Sequence, residues 1–150
     1  MRIAVICTAD SVFNRHVLPA HVSSFAELVG IVAIHEPKRR VWRRLRHEWR
    51  RSGWRTADVL AFRLFYGALL RRKDTAWIRG RADEELAGLP AVRDVSVLET
   101  QDPNSAETRR FLQEVEPDMV VAACKTILRR EIFDVPGHGT FVVHPGICPE

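Results

Sequence analysis

The sequence predicts an α/β fold: an open, mostly parallel sheet with helices on both faces, Rossmann-like in outline and interrupted by a basic helical insertion at about residues 38–89. Three observations carry that expectation. Residues 2–7, 29–34 and 118–124 are apolar runs of strand length without polar alternation, the pattern of parallel strands covered on both faces. They alternate with segments of helical spacing, as βαβ units do. The chain of 150 residues is 46% hydrophobic and 28% charged, a globular composition long enough to bury a substantial core.

Taken in order, the first strand ends in a loop of Thr8, Asp10, Ser11 and Asn14 that has no Gly-x-Gly-x-x-Gly, so a dinucleotide fingerprint is not supported. Ser11 or Asn14 caps the following helix or offers polar groups to a ligand, and the residues alone leave both readings open. Val17, Leu18, Val22, Phe25 and Leu28 supply that helix with an apolar face, which Pro19 bends or restarts. The second strand follows at 29–34. Beyond the insertion, residues 92–98 contain a short strand. Asn104 followed by Glu107 then reads as a helix cap, and the helix it opens buries Phe111, Leu112 and Val115 and stops before Pro117. Residues 118–124 form the next buried strand and 126–133 a short connecting helix. Residues 140–143 form a further buried strand, opened by Gly139 and closed by the turn signal of Pro145 and Gly146.

From Lys38 to Arg81, Lys and Arg outnumber Asp and Glu by fifteen to three, which places most of the basic excess in the insertion. Val41, Trp42, Leu45 and Trp49 recur at helical spacing. A second helix over 56–70 is apolar on nearly every side and therefore expects cover, from the sheet or from a second copy of the chain. Three readings of the insertion stand together. It is a helical hairpin with arginines lying over apolar surface, an anion-binding surface for RNA or a phosphorylated acceptor, or a contact with anionic lipid.

No apolar run is long enough to cross a membrane, and residues 1–7 are too short for a signal peptide, so a cytoplasmic location is expected. Cys7, Cys124 and Cys148 are odd in number and far apart, which argues against a disulfide framework or a zinc ribbon; Cys7 and Cys124 read as buried thiols. A metal hydrolase on His138, His144 and Cys148 lacks a fourth ligand nearby, and no metal is expected.

His144 stands where the last strand ends, and in open α/β sheets ligands collect beyond the carboxyl ends of strands. His144, Pro145, Gly146 and Pro149 resemble the signature of the folate-dependent formyltransferases, in which a strand ends in Asn-x-His and a loop leads to Leu-Pro-x-Tyr-Arg-Gly. The resemblance extends upstream through the run from Pro117 to Ala123, then Ile127, Leu128, Val135, Pro136 and Gly139. It covers residues 116–150, is plausible for the first strand and is absent across the middle. It departs from the pattern at Val142, where the family has Asn.

The resemblance implies transfer of a formyl group from 10-formyltetrahydrofolate to an acceptor amine, either an amino sugar nucleotide or an aminoacyl-tRNA. It makes His144 the catalytic residue, Thr126, Ile127 and Leu128 the binding loop for the folate donor, and Asp10, Ser11 and Asn14 the acceptor-binding loop. On this reading the sequence is the N-terminal part of a formyltransferase domain, incomplete before the family's catalytic Asp. The alternative is a catalytically impaired binding module, favoured by Val142. The partners implied are a folate donor and an anionic acceptor, with homo-oligomerisation through the insertion as a further possibility.

Overall fold

A computed structural model describes residues 1–35, 46, 49–50, 53 and 55–143, with the backbone alone at 55, 56 and 63. The helix expected around Trp42 therefore lies, apart from Arg46, Trp49 and Arg50, outside the described residues, as do His144, Pro145, Gly146 and Cys148. Within them the chain runs β1 (Arg2–Thr8), a π-helical turn (Phe13–Val17), α1 (Leu18–Phe25), β2 (Glu27–Ile34), α2 (Arg55–Leu69), α3 (Arg71–Leu86) and β3 (Ser96–Thr100). It continues through α4 (Ala106–Val115), β4 (Met119–Ala123), α5 (Arg130–Phe133) and β5 (Thr140–Val142). All strand pairs are parallel and the order across the sheet is β3-β2-β1-β4-β5, a Rossmann-like α/β sheet.

The period of two along each strand sorts the core into two faces. Ala4, Ile6, Val32, Ile34, Val120 and Ala122 meet Leu112 of α4 and Ile132 of α5 on one side. Ile3, Val5, Cys7, Leu28, Ile31 and Val121 meet Val22 of α1 on the other. The uninterrupted apolar runs of β1, β2 and β4 exist because both faces are dry. Gly30 of β2 is needed by this packing: a Cβ built there would lie 3.1 Å from the ring of Phe111 and 3.2 Å from Val115, so α4 approaches the sheet through the missing side chain.

Several expectations move. β2 begins at Glu27, two residues before the apolar run, because the register passes from Ile3 opposite Leu28 to Ala4 opposite Gly30 and skips Val29. Pro19 restarts the helix as expected, sitting in the first turn of α1 where its missing N–H costs nothing. Phe25, expected on the apolar face, is 69% exposed because α1 ends there. Residue 104 is not the cap of α4. Ser105 has the extended backbone of an N-cap, and its Oγ accepts the Thr108 N–H at 3.2 Å. The helix stops at Glu116, whose left-handed φ of 44° turns the chain into Pro117. The connecting helix after β4 shrinks to α5, leaving 124–129 as a loop. β5 is an exposed edge strand and not a buried one, since it pairs with β4 alone. The sheet does not cover α2 either, where Phe62, Leu64, Phe65 and Leu69 are all exposed.

Candidate active site at the carboxyl edge of the sheet

From β1 the chain builds outward in one direction to β2 and β3, and in the other to β4 and β5, so the strand order reverses between β1 and β4. Such a switch point leaves a crevice beyond the strand ends, because the connections leave on opposite sides of it. Two cavities open there. One, of about 470 Å³, is lined by Thr8, Asp10, Ser11, Asn14, Ala123, Cys124, Lys125 and Val143. The other, of about 380 Å³, is lined by Ala122, Cys124, Lys125, Thr126, Ile127, Leu128, Phe133, Thr140 and Val142. Cys124 and Lys125 line both. Val142 and Val143, adjacent at the end of β5, point to opposite faces and each lines one cavity.

The structure thus brings Asp10, Ser11 and Asn14 together in the first cavity and Thr126, Ile127 and Leu128 together in the second. His144 follows Val143 in sequence but lies outside the described residues. Capping and site-lining are compatible on the β1 loop. Ser11 Oγ accepts the Asn14 N–H at 3.3 Å, as a cap would, and Asn14 Nδ2 donates to the Ala123 carbonyl at 3.2 Å, bridging the switch point. The Asp10 carboxylate is exposed at the rim.

The second cavity is mainly apolar. Ile127 is 89% exposed, whereas Leu128 also packs on the core face that holds Ile132. Its loop is fixed by a residue that sequence reasoning had assigned to capping. Asn104 Nδ2 donates to the Ile127 carbonyl at 3.0 Å, and its Oδ1 accepts the Arg129 N–H at 2.6 Å. Thr140 Oγ1, donating to the Phe133 carbonyl at 2.9 Å, closes the far side.

Burial pushes the Cys7 thiol up to about 11 and raises Cys124 as well. Burial thus favours the protonated form of both thiols, and Cys124, which donates through Sγ to the Thr126 carbonyl at 3.4 Å, lines both cavities. Among the described residues no group of three or more His, Cys, Asp or Glu side chains could hold a metal ion.

A second polar group lies along the same edge and escaped the sequence reading. Glu99, near the end of β3, accepts from Arg15 Nη2 at 2.5 Å, from Arg15 Nη1 at 3.3 Å and from His35 Nε2 at 2.6 Å. The Arg15 hydrogen bonds, with help from His35, hold the Glu99 carboxyl below its usual range. These bonds tie the ends of β2 and β3 to the π-helical turn beside Asn14. A further cavity, about 660 Å³, is a charged groove between α4 and α5 that no strand end lines.

No family model matches the chain. Over 47 residues, 31% of its length, it is 47% identical to methionyl-tRNA formyltransferases of Neisseria meningitidis and Neisseria gonorrhoeae. The chain shares 33% identity over 67 residues, 44% of its length, with the methionyl-tRNA formyltransferase of Thermotoga neapolitana. The partial relationship is to the formyltransferases. The matched stretches span 15% of the Neisseria proteins and 20% of the Thermotoga protein, so the formyltransferase likeness is confined to part of each chain. Among the described residues, no helix is long and apolar enough to cross a membrane.

Proposed function

We propose that the chain transfers a formyl group from 10-formyltetrahydrofolate to an acceptor amine, the donor lying in the 380 Å³ cavity and the amine entering through the 470 Å³ one. The observation that supports this reading is the shared wall of Cys124 and Lys125, which lets two ligands meet at the switch point. Thr126, Ile127 and Leu128 would hold the flat end of the folate by backbone groups and aliphatic walls. Asp10, Ser11 and Asn14 would present polar groups to the acceptor. The folate supplies an activated formyl carbon. The amine forms the new C–N bond, the carbonyl electrons collect on oxygen, and collapse expels the folate nitrogen, which takes a proton as the amine loses one. His144, protonated, would donate to that oxygen, where a fixed donor lowers the barrier most.

The names of the related proteins favour an aminoacyl-tRNA acceptor, and the basic residues of the insertion suit a phosphate-bearing partner of either that or the nucleotide-sugar class. A second reading, a binding module with impaired chemistry, rests on Val142 at the position where the family places its amide. One set of measurements separates the two. Donor binding should fall in Ile127→Asp and Leu128→Asp but persist in His144→Ala, while formyl transfer should be lost in all three. Binding by the intact protein without any transfer would select the impaired module; no donor binding at all would refute both. Acceptor affinity that stays flat with rising salt would exclude phosphate contacts.

A further inference from the structure

Exposed apolar side chains concentrate on α2. Phe62, Phe65 and Leu69 are 65%, 58% and 57% exposed, and their spacing places them on one stripe of the helix. Leu64, Leu70, Trp77 and Ile78 are exposed as well. Helical hydrogen bonding runs through the junction of α2 and α3: the Leu70 N–H donates to the Tyr66 carbonyl at 2.9 Å and the Asp74 N–H to the Leu70 carbonyl at 3.0 Å, so α3 continues α2 and does not fold back on it. At the junction, Leu69 and Leu70 run directly into Arg71, Arg72 and Lys73, all exposed, with Asp74 the one acidic residue through Arg81. At the other end of α3 the acidic Asp83, Glu84 and Glu85 follow Ala82, which is fully buried, and Glu85 lies 4.0 Å from His21 of α1. The end of α3 is docked, and the segment around the junction is apolar and cationic.

We propose that the helical segment around this junction binds the surface of an anionic lipid bilayer, with Phe62, Phe65 and Leu69 entering the interfacial layer and Arg71, Arg72 and Lys73 at the headgroups. Apolar insertion joined to cationic attraction is the combination that peripheral helices use. Trp77 adds an amphipathic ring suited to the same depth. A second copy covering the same stripe is the competing occupant, and the test below separates it. RNA would engage the cations and rings but leave Leu64, Leu69, Leu70 and Ile78 in water. In sequence, the run from Lys38 to Arg51 adds Lys and Arg against Glu48 alone.

The test is co-sedimentation of the intact protein with phosphatidylglycerol–phosphatidylcholine vesicles and with pure phosphatidylcholine vesicles, at low and moderate salt. Binding should require the anionic lipid and weaken with salt. Replacing Arg71, Arg72 and Lys73 by Gln should lower it on the order of a hundredfold, at roughly fivefold per cation. The combination Phe62→Ser, Phe65→Ser and Leu69→Ser should abolish it and leave the circular dichroism unchanged, since these side chains are already exposed. The proposal fails if the protein ignores anionic vesicles or if either triple variant binds them as well as the parent does. It fails equally if the parent is a dimer that the serine variant dissociates, or if the variant loses tRNA binding while vesicle binding was never present.

Discussion

Asn104→Ala should loosen the loop of residues 124–129, the donor loop of the proposed function, without unfolding the protein. The side chain makes two hydrogen bonds to the loop backbone, to the Ile127 carbonyl at 3.0 Å and from the Arg129 N–H at 2.6 Å. Each such bond is worth about 0.5–1.5 kcal/mol net, and both are exposed, so about 1–2 kcal/mol together is the reasonable figure. That shifts the balance between ordered and open loop by roughly five- to thirtyfold. Affinity for 10-formyltetrahydrofolate should fall by up to that factor, since binding to one loop state is weakened as its population drops. Calorimetric titration measures the affinity, and hydrogen exchange at the Arg129 amide reports the loop directly. Asn104→Asp separates the two bonds: it keeps an acceptor for Arg129 but sets oxygen against the Ile127 carbonyl, so Arg129 should remain protected while affinity falls. Unchanged affinity in Asn104→Ala together with faster Arg129 exchange would show that the loop is irrelevant to donor binding. Unchanged exchange would refute the structural reasoning itself.

Gly30→Ala should destabilise the fold by about 1–3 kcal/mol, read from the denaturation midpoint, because its Cβ meets the Phe111 ring at 3.1 Å in a packed interface. Glu99 is a carboxylate whose folded pKa is depressed by Arg15 and His35, so the stability it contributes is present above the ordinary glutamate range and is lost as pH falls through its lower folded value. Being largely exposed it contributes little, and Glu99→Gln should flatten the acid limb of a melting-temperature profile only slightly. Native Cys7 should resist iodoacetamide until strongly alkaline pH, with a thiol near 11, and react at once in denaturant; peptide mapping checks both. Val142→Asn should raise formyl transfer by up to roughly a hundred- to thousandfold, the usual worth of one oxyanion donor, and His144→Ala in that background should remove the gain.

The central strands were legible because a strand covered on both faces is apolar along its buried length, as residues 3–7 of β1, 28–34 of β2 and all of β4 are. What was misread depended on partners far along the chain. The spacing from Asn104 to Glu107 fits a capping box, yet the cap is the next residue, and nothing local reveals that Asn104 serves a loop more than twenty residues away. The contacts of Glu99 with Arg15 and His35 cross 84 and 64 residues. An all-round apolar helix signalled that α2 wants cover but could not say from what, and the sheet turns out not to supply it.

The same limits explain why the meeting of the β1 loop and the 124–129 loop at one edge was visible only once the topology was known. In the sequence, Asp10, Ser11 and Asn14 lie more than a hundred residues from Thr126, Ile127 and Leu128. The parallel pairing of β1 with β4, Cys7 opposite Ala123, brings both loops to one edge. Ala122 and Ala123 end β4 with small side chains, so the crevice stays open on both of its faces, and the next two residues, Cys124 and Lys125, become a wall common to both cavities. A bulky residue at Ala122 would intrude on the second cavity and one at Ala123 on the first, so the small side chains that end β4 keep both spaces open.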